Sequence, residues 1–562
     1  MRRKKPSQSA SKESYMPQRE LQMERTQLTA KRLESQRKRR PGKQSDTLRA
    51  GLAVMAGRTA GALSRRLHLG GGTSIVGVVA QSIYPDIVEH LATQLKEGSV
   101  IITGTNGKTT TSSFIAAILR DGGLRVWHNR EGSNLMRGIA SSLVMRALPT
   151  GHLRRAGSAI SILEVDEAAL PQVVQAVPPR IAVFTNLFRD QLDRYGEVDS
   201  VISYWQRAIS QLSADTTLVL NADDPAIANL GASYAGNVLY YGIDDLSLDQ
   251  QNQTNPNERH QVMDTRTCPQ CGNAYTYDVR FYSHMGHYQC PQCHTQRPQP
   301  DIRATLVQLD SFDRWRLQVS TTTETRELII PLPGFYNIYN ALAAITAARA
   351  LYIPWEPIIT GIEQSKPVFG RGERIQAEGR TIRLLLAKNP TGFNEVLRTL
   401  FSEGVPRHVL FVLNDNTADG RDISWIWDVD FERGIGLTNT LVISGTRTLD
   451  LALRLKYAGI AQEDMTIIPP APLRATRNDE ASLRRARRLQ KRSQASEQAT
   501  PASIAVPARV YGLKNAINVA LQQTPVGETL FIVPTYTGLL EVHRELEQRG
   551  LAPHYWEGKE EA

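Results

Sequence analysis

Every cysteine of the chain lies in one short stretch, as Cys268-Pro-Gln-Cys271 and Cys290-Pro-Gln-Cys293, with 18 residues between the pairs. Two C-x-x-C knuckles place four thiolates where they converge on one ion, and the spacer is expected to form the hairpin that joins them. Zinc suits such a closed S₄ shell, and a rubredoxin-like iron site uses the same donors. Two disulfides are the competing use of these residues. With no apolar secretory segment at the N-terminus, a cytoplasmic and reducing setting is expected, which favours a structural zinc ribbon.

A second chemical signal is Gly104-Thr105-Asn106-Gly107-Lys108-Thr109-Thr110. A glycine-rich turn leading into a helix offers backbone N–H groups to phosphate oxygens. Lys108 would neutralise β/γ-phosphate charge and the Thr109 hydroxyl would ligate Mg²⁺. The usual first glycine is replaced by Ile102, so the loop is a shorter G-x-x-G-K-T variant.

Such a turn must sit between a strand and a helix. Val100–Thr103 is a short apolar strand and Thr109–Arg120 has helical periodicity. Ser161–Val165, Ile181–Thr185 and Leu218–Asn221 are further strands that run into polar residues. Strands with polar carboxyl ends, separated by helical segments, describe an open parallel sheet with its site along that edge. A second series, Leu384–Leu386, Val409–Leu413, Leu441–Ser444 and Leu530–Val533, predicts a second, Rossmann-like α/β domain.

Length suggests about three or four domains, and no apolar run reaches the ~18 residues of a membrane span. The net charge of +10 is confined to residues 1–45, which hold 14 Lys/Arg against 4 Asp/Glu. The rest of the chain is neutral. The predicted organisation is a basic, disordered tail (1–45), an ATP-binding domain (46–375) with the ribbon inserted at about 264–298, and a C-terminal α/β domain (376–562). A basic surface insert at about 474–502 contains Arg484-Arg485-Ala486-Arg487-Arg488. A basic tail can touch anionic lipid or nucleic acid. The ribbon spacer carries only Arg280 as a fixed positive charge, so no nucleic-acid partner is expected.

The short P-loop resembles that of the ATP-dependent Mur ligase superfamily, and further pieces follow in order. Glu164 matches the family's metal-binding glutamate. Thr185-Asn186, Asp190-Gln-Leu-Asp193 and Gly196 resemble its T-N…D-H-L-D segment, and Asn221-Ala-Asp-Asp-Pro225 its N-x-D-D-P turn. Gly334-Phe-Tyr-Asn337-Ile-Tyr-Asn340 is similar to the helix start whose asparagines approach adenine, and Gly370-Arg371 to the motif whose arginine faces phosphate.

The departures narrow the resemblance. Only about 55 residues separate the tail from the P-loop, no lysine occurs between Lys108 and Lys366, and the C-terminal domain begins Leu386-Ala-Lys388-Asn389-Pro390. Together with the ribbon and Leu413-Asn-Asp-Asn-Thr-Ala-Asp-Gly-Arg-Asp422, this resembles the MurT-type subunits of lipid II isoglutaminyl synthase. The resemblance implies ATP- and Mg²⁺-dependent amidation of the D-glutamate α-carboxylate of the lipid II stem peptide, in peptidoglycan synthesis. It also implies a heterodimer with a class I glutaminase subunit that supplies ammonia, with Asp422 completing that subunit's triad. The expected location is then cytoplasmic, at the inner face of the membrane where lipid II lies. Two other readings use the same residues: a folylpolyglutamate-synthase-like amino-acid ligase, and a zinc-ribbon nucleic-acid-binding ATPase.

Overall fold

Val100 and Ile102 pack on one side of their strand and Ile101 on the other, and all three are fully buried. An apolar run buried on both faces belongs to a parallel sheet covered by helices on each side. That is the architecture in the computed structural model, which describes residues 44–66, 73–129, 134–190, 198–249, 263–470 and 511–552. The expected tail, apart from its last two positions, and the 474–502 insert lie outside the described residues.

Three helices, α1 (Gln44–Arg66), α2 (Thr73–Ile83) and α3 (Ile87–Ala92), precede strand β1 (Ser99–Thr103). Alternation then follows: α4 (Lys108–Asp121), β2 (Arg125–His128), α5 (Met136–Arg146), β3 (Ala159–Glu164), α6 (Leu170–Ala176) and β4 (Ile181–Phe184). It continues through α7 (Val198–Ile209), β5 (Thr217–Asn221), α8 (Pro225–Asn229) and β6 (Val238–Ile243). The inserted ribbon contributes the hairpin β7 (Thr276–Tyr282) and β8 (Met285–Gln289), between Cys271 and Cys290 as its spacing predicts. After β9 (Ile302–Ser311), β10 (Arg314–Ser320) and β11 (Thr325–Ile330), helices α9 (Tyr336–Ala350) and α10 (Trp355–Glu363) close the unit.

The nine strands run β11-β10-β9-β6-β5-β4-β1-β3-β2. From β9 to β2 they are parallel, while β10 and β11 are antiparallel additions at one edge. Helices α4, α9 and α10 bury one face, and α1, α2, α3, α5, α6 and α7 the other. The segment ahead of the P-loop is therefore a covering layer of this sheet. Because β1 lies between β3 and β4, the chain reverses direction of winding there, and the P-loop opens at the crevice this creates.

The second unit contains β12 (Arg371–Ala377), β13 (Arg380–Leu385), α11 (Pro390–Phe401), β14 (Arg407–Val412), β15 (Thr438–Ser444) and α12 (Thr448–Tyr457). It ends with β16 (Thr466–Ile467), α13 (Leu513–Gln523), β17 (Thr529–Pro534) and α14 (Tyr536–Gln548). Its sheet runs β12-β13-β17-β14-β15-β16, parallel except for β12. Since β12 pairs in this sheet, the second unit begins by Arg371, a few residues ahead of the expected start at 376.

Candidate active site and metal centre

At the carboxyl end of β1 the chain turns through Gly104 (φ 135°) and Gly107 (φ 86°) into α4. A Cβ on Gly107 would lie 2.1 Å from Asn340 Oδ1, so close approach as well as backbone sign requires glycine there. The polar end of β4 clamps the loop. Asn186 Oδ1 accepts the Asn106 N–H at 2.9 Å, and the Thr185 hydroxyl donates to the Asn106 carbonyl at 2.7 Å. From α9, Asn340 Oδ1 accepts the Thr111 hydroxyl at 3.4 Å, while its amide donates to Asn337 Oδ1 at 2.8 Å. Both asparagines of the predicted adenine motif are buried directly behind the turn.

Charge is concentrated in front of it. Glu164, at the end of β3, accepts the hydroxyls of Thr109 at 2.9 Å and Ser112 at 2.8 Å, with His128 at 3.4 Å. Burial alone would raise its pKa, but the hydrogen bond and charge of His128 and the two hydroxyls outweigh burial and hold it below the ordinary value. Lys108 lies 2.6 Å from Glu167 Oε1. Burial opposes the Lys108 charge, yet the Glu167 carboxylate more than compensates and leaves the lysine pKa raised.

The C-terminal unit reaches the same place. Arg371 Nη2 donates to Thr109 Oγ1 at 3.3 Å, and its buried Nε has no partner among the described residues. Asn389 and Asn106 exchange amide hydrogen bonds of 3.1 and 3.4 Å, and Lys388 pairs with Asp190. An unpartnered guanidinium N–H beside a helix N-terminus and a lysine fits an anionic phosphate group. A carboxylate and a hydroxyl in contact are the oxygen donors a hard divalent cation takes.

The ribbon's four Sγ atoms lie within 4.8 Å of one another, with Cys268–Cys293 and Cys271–Cys290 both at 3.4 Å. Tetrahedral Zn–S bonds put sulfurs about 3.8 Å apart, so the cluster fits one ion. The two knuckles are built alike. Gly272 and His294, each following its second cysteine, have φ of 76° and 61°, and their N–H groups return to the carbonyls of Cys268 and Cys290. The ribbon is also tied to the active-site helix. Asp223 accepts Arg297 Nε at 2.5 Å and the Tyr339 hydroxyl at 2.8 Å, joining the ribbon's exit, the Asn221–Pro225 turn and α9.

Of the residues expected from sequence, Gly104 to Thr110, Glu164, Asn337, Asn340 and Arg371 come together. Asp422 does not join them. It is exposed in the loop after β14, and its Oδ1 accepts the Ser424 N–H at 2.8 Å, a bond that lowers its pKa. Gln191, Asp193 and Gly196 lie outside the described residues. Sequence reasoning missed Glu167 and His128. Glu167 ends the acidic run Glu164-Val-Asp-Glu167, and His128 ends the strand beside β3, so position at the sheet's carboxyl edge was the available signal.

Comparison with known proteins gives concordant results. Residues 102–289 match the Mur ligase middle domain and residues 386–486 the MurT ligase C-terminal domain. The lipid II isoglutaminyl synthase (glutamine-hydrolyzing) subunit MurT of Staphylococcus aureus strain COL is 35% identical over 412 residues, covering 73% of this chain and 87% of that protein. Its namesake from Streptococcus pneumoniae R6 is 33% identical, covering 75% and 89%. Among solved structures, a pseudomurein peptide ligase type C from Methanothermus fervidus is similar with a TM-score of 0.53 at 22% identity, over 81% of this chain and 79% of that one. MurF from Acinetobacter baumannii gives 0.53 at 15% identity, over 83% and 79%.

Proposed function

The chain belongs to the MurT family, and from that membership and the P-loop cluster we propose that it amidates the D-glutamate α-carboxylate of the lipid II stem peptide to D-isoglutamine, with ATP consumed. The observation that carries this reading is the grouping of buried Thr109 and Glu164 with half-buried Lys108 and Arg371, drawn from both domains onto one turn. A carboxylate is a poor acyl donor until one oxygen becomes part of a phosphate leaving group. Phosphoryl transfer asks mainly for positioning and cationic stabilisation. The turn between Gly104 and Thr110 holds the β- and γ-phosphates, and Lys108 exchanges Glu167 for phosphate oxygen when nucleotide enters. Arg371 brings its free N–H to the same anion. Mg²⁺ bound with ATP supplies charge neutralisation, with Thr109 and Glu164 as its protein donors.

Ammonia then displaces phosphate. All four cysteines belong to the ribbon, which leaves none as a glutaminase nucleophile, so ammonia comes from a class I glutaminase subunit in a heterodimer. Asp422 is exposed five residues ahead of Trp427, whose ring meets Tyr457 of α12 edge-on at 5.6 Å, and Leu449 and Leu453 of α12 are exposed as well. An exposed carboxylate in the same loop as one end of an exposed apolar stripe suits a subunit contact in which Asp422 orients the partner's histidine. The ribbon holds zinc as a structural ion. The reaction takes place on the cytoplasmic side, at the membrane surface that carries the lipid-linked substrate.

Asp422→Asn in the two-subunit complex tests the division of labour. Glutamine hydrolysis should fall by up to about 10⁴-fold, while free ammonia at high concentration restores amidation. Undiminished glutaminase activity in an intact complex would refute the role, as would equal loss of both activities.

A further inference from the structure

Helix α1 is arranged against the usual pattern. Its small residues Ala50, Gly51, Ala53 and Gly57 face the protein, while Leu48, Leu52, Met55 and Leu63 are 46–73% exposed. The inward packing is tight: a Cβ on Gly51 would lie 2.4 Å from the Pro149 carbonyl, and one on Gly57 2.7 Å from that of Val76 in α2. Neighbouring α2 repeats the arrangement, with Gly77 inward against α5 and Ile75, Val78 and Ile83 outward at 41–46% exposure. Leu48, Leu52 and Met55 follow one another at i, i+4 and i+7 on one face of α1, and Ile75 and Val78 are three apart on α2. Among the described side chains of the two helices, Arg49 and Arg66 are exposed and Asp46 and Arg58 half-buried, and the nearest exposed acids follow at Asp86 and Glu89. Seven large apolar side chains on adjacent helices exceed the scattered exposure of an ordinary soluble surface.

The charge immediately upstream says what covers them. Residues 1–43 carry 14 Lys/Arg and 4 Asp/Glu and lead directly into α1. Apolar side chains flanked by arginine, joined to a strongly basic segment, are the two signals that together hold a protein on an anionic bilayer. We propose that the outer face of α1 and α2 docks on an anionic membrane surface, with the basic N-terminal segment as its electrostatic partner. The face belongs to the covering layer of the first sheet, so docking there holds the P-loop domain at the bilayer. The inference rests on the proposed function only in that the substrate is lipid-linked.

The test uses the full-length chain in complex with its glutaminase subunit and vesicles of phosphatidylcholine with or without phosphatidylglycerol. The wild-type complex should sediment with anionic vesicles and be released in part by salt. Leu52→Glu with Met55→Glu should weaken binding at least tenfold (about one to two lost apolar anchors). Its melting temperature and its amidation of a soluble, lipid-free stem-peptide substrate should be unchanged. Should the glutamates disturb folding, Leu52→Gln with Met55→Gln serves in their place. The proposal is overturned if the wild type ignores anionic vesicles, or if the double variant binds undiminished while removal of residues 1–43 abolishes binding. A concentration-dependent dimer dissolved by the double variant would assign the face to a second copy and overturn it likewise. Failure of the wild type on the soluble substrate would count against the functional reading and leave the vesicle result to judge the surface.

Discussion

Lys108 and Glu167 form the contact at which catalysis and stability pull apart. The pair is buried at 2.6 Å, so Lys108→Ala leaves a carboxylate without its partner. Burial raises the Glu167 pKa, which lowers the cost of leaving that carboxyl without its lysine, so the fold should survive. ATP-dependent amidation should nonetheless be abolished, which a coupled ADP-release assay reads directly, and near-normal turnover would refute the assignment. The ribbon offers a cleaner backbone experiment. A Cβ on Gly272 meets nothing within 4 Å, so Gly272→Ala isolates the cost of an alanine at φ 76°, about 1–2 kcal/mol. At the equivalent position of the other knuckle, His294→Gly should relieve that strain and stabilise by about 0.5 kcal/mol after the unfolded-state entropy is counted. Thermal melts of metal-loaded protein check both signs. Lys108, Thr109 and Glu164 were legible because strand, turn and helix order fix them. Glu167 was not, since its contact depends on how the chain folds back after β3.

Among the elements, the run Val100-Ile101-Ile102 and the polar strand ends announced a parallel sheet, and the helix beginning at Tyr336 was readable from its asparagines. The antiparallel edge strands β10 and β11 were not. Residues such as Trp315, Leu317 and Val319 alternate in burial, but a short alternating run does not say which sheet it joins. The early start of the second unit was hidden for a similar reason, because Arg371 belongs to the phosphate motif and is also the first residue of β12. Within that unit, His543 on α14 lies 2.9 Å from Glu547 and 3.5 Å from Glu373 on β12. Burial disfavours its charge, but Glu373 and Glu547 outweigh burial and raise its pKa above 6.5. A raised folded-state value contributes stability that is complete below pH 6.5 and is lost as pH rises through the folded-state pKa. Denaturant midpoints of the wild type should therefore fall over that window, and His543→Gln should flatten the slope. An unchanged slope in the variant would place the dependence elsewhere.

Over the whole molecule, the ribbon, the P-loop domain and the C-terminal unit meet around one turn. Arg189 shows how, pairing with Asp264 at the ribbon's entry and with Asp428 of the second unit. Metal loss should consequently be felt beyond the ribbon. Cys290→Ser should release the ion, by metal analysis, and weaken the Asp223–Tyr339 tie to α9, raising the KM for ATP along with the loss of stability. Retained metal, or a KM for ATP that does not move, would contradict that coupling. The central claim, activation of a carboxylate as an acyl phosphate at the P-loop, has a direct isotopic test. With ¹⁸O in the α-carboxylate of the stem-peptide D-glutamate, one labelled oxygen should leave in inorganic phosphate for each amide formed, because the carboxylate oxygen bridges to phosphorus before ammonia displaces it. Amide formation with unlabelled phosphate would contradict the account.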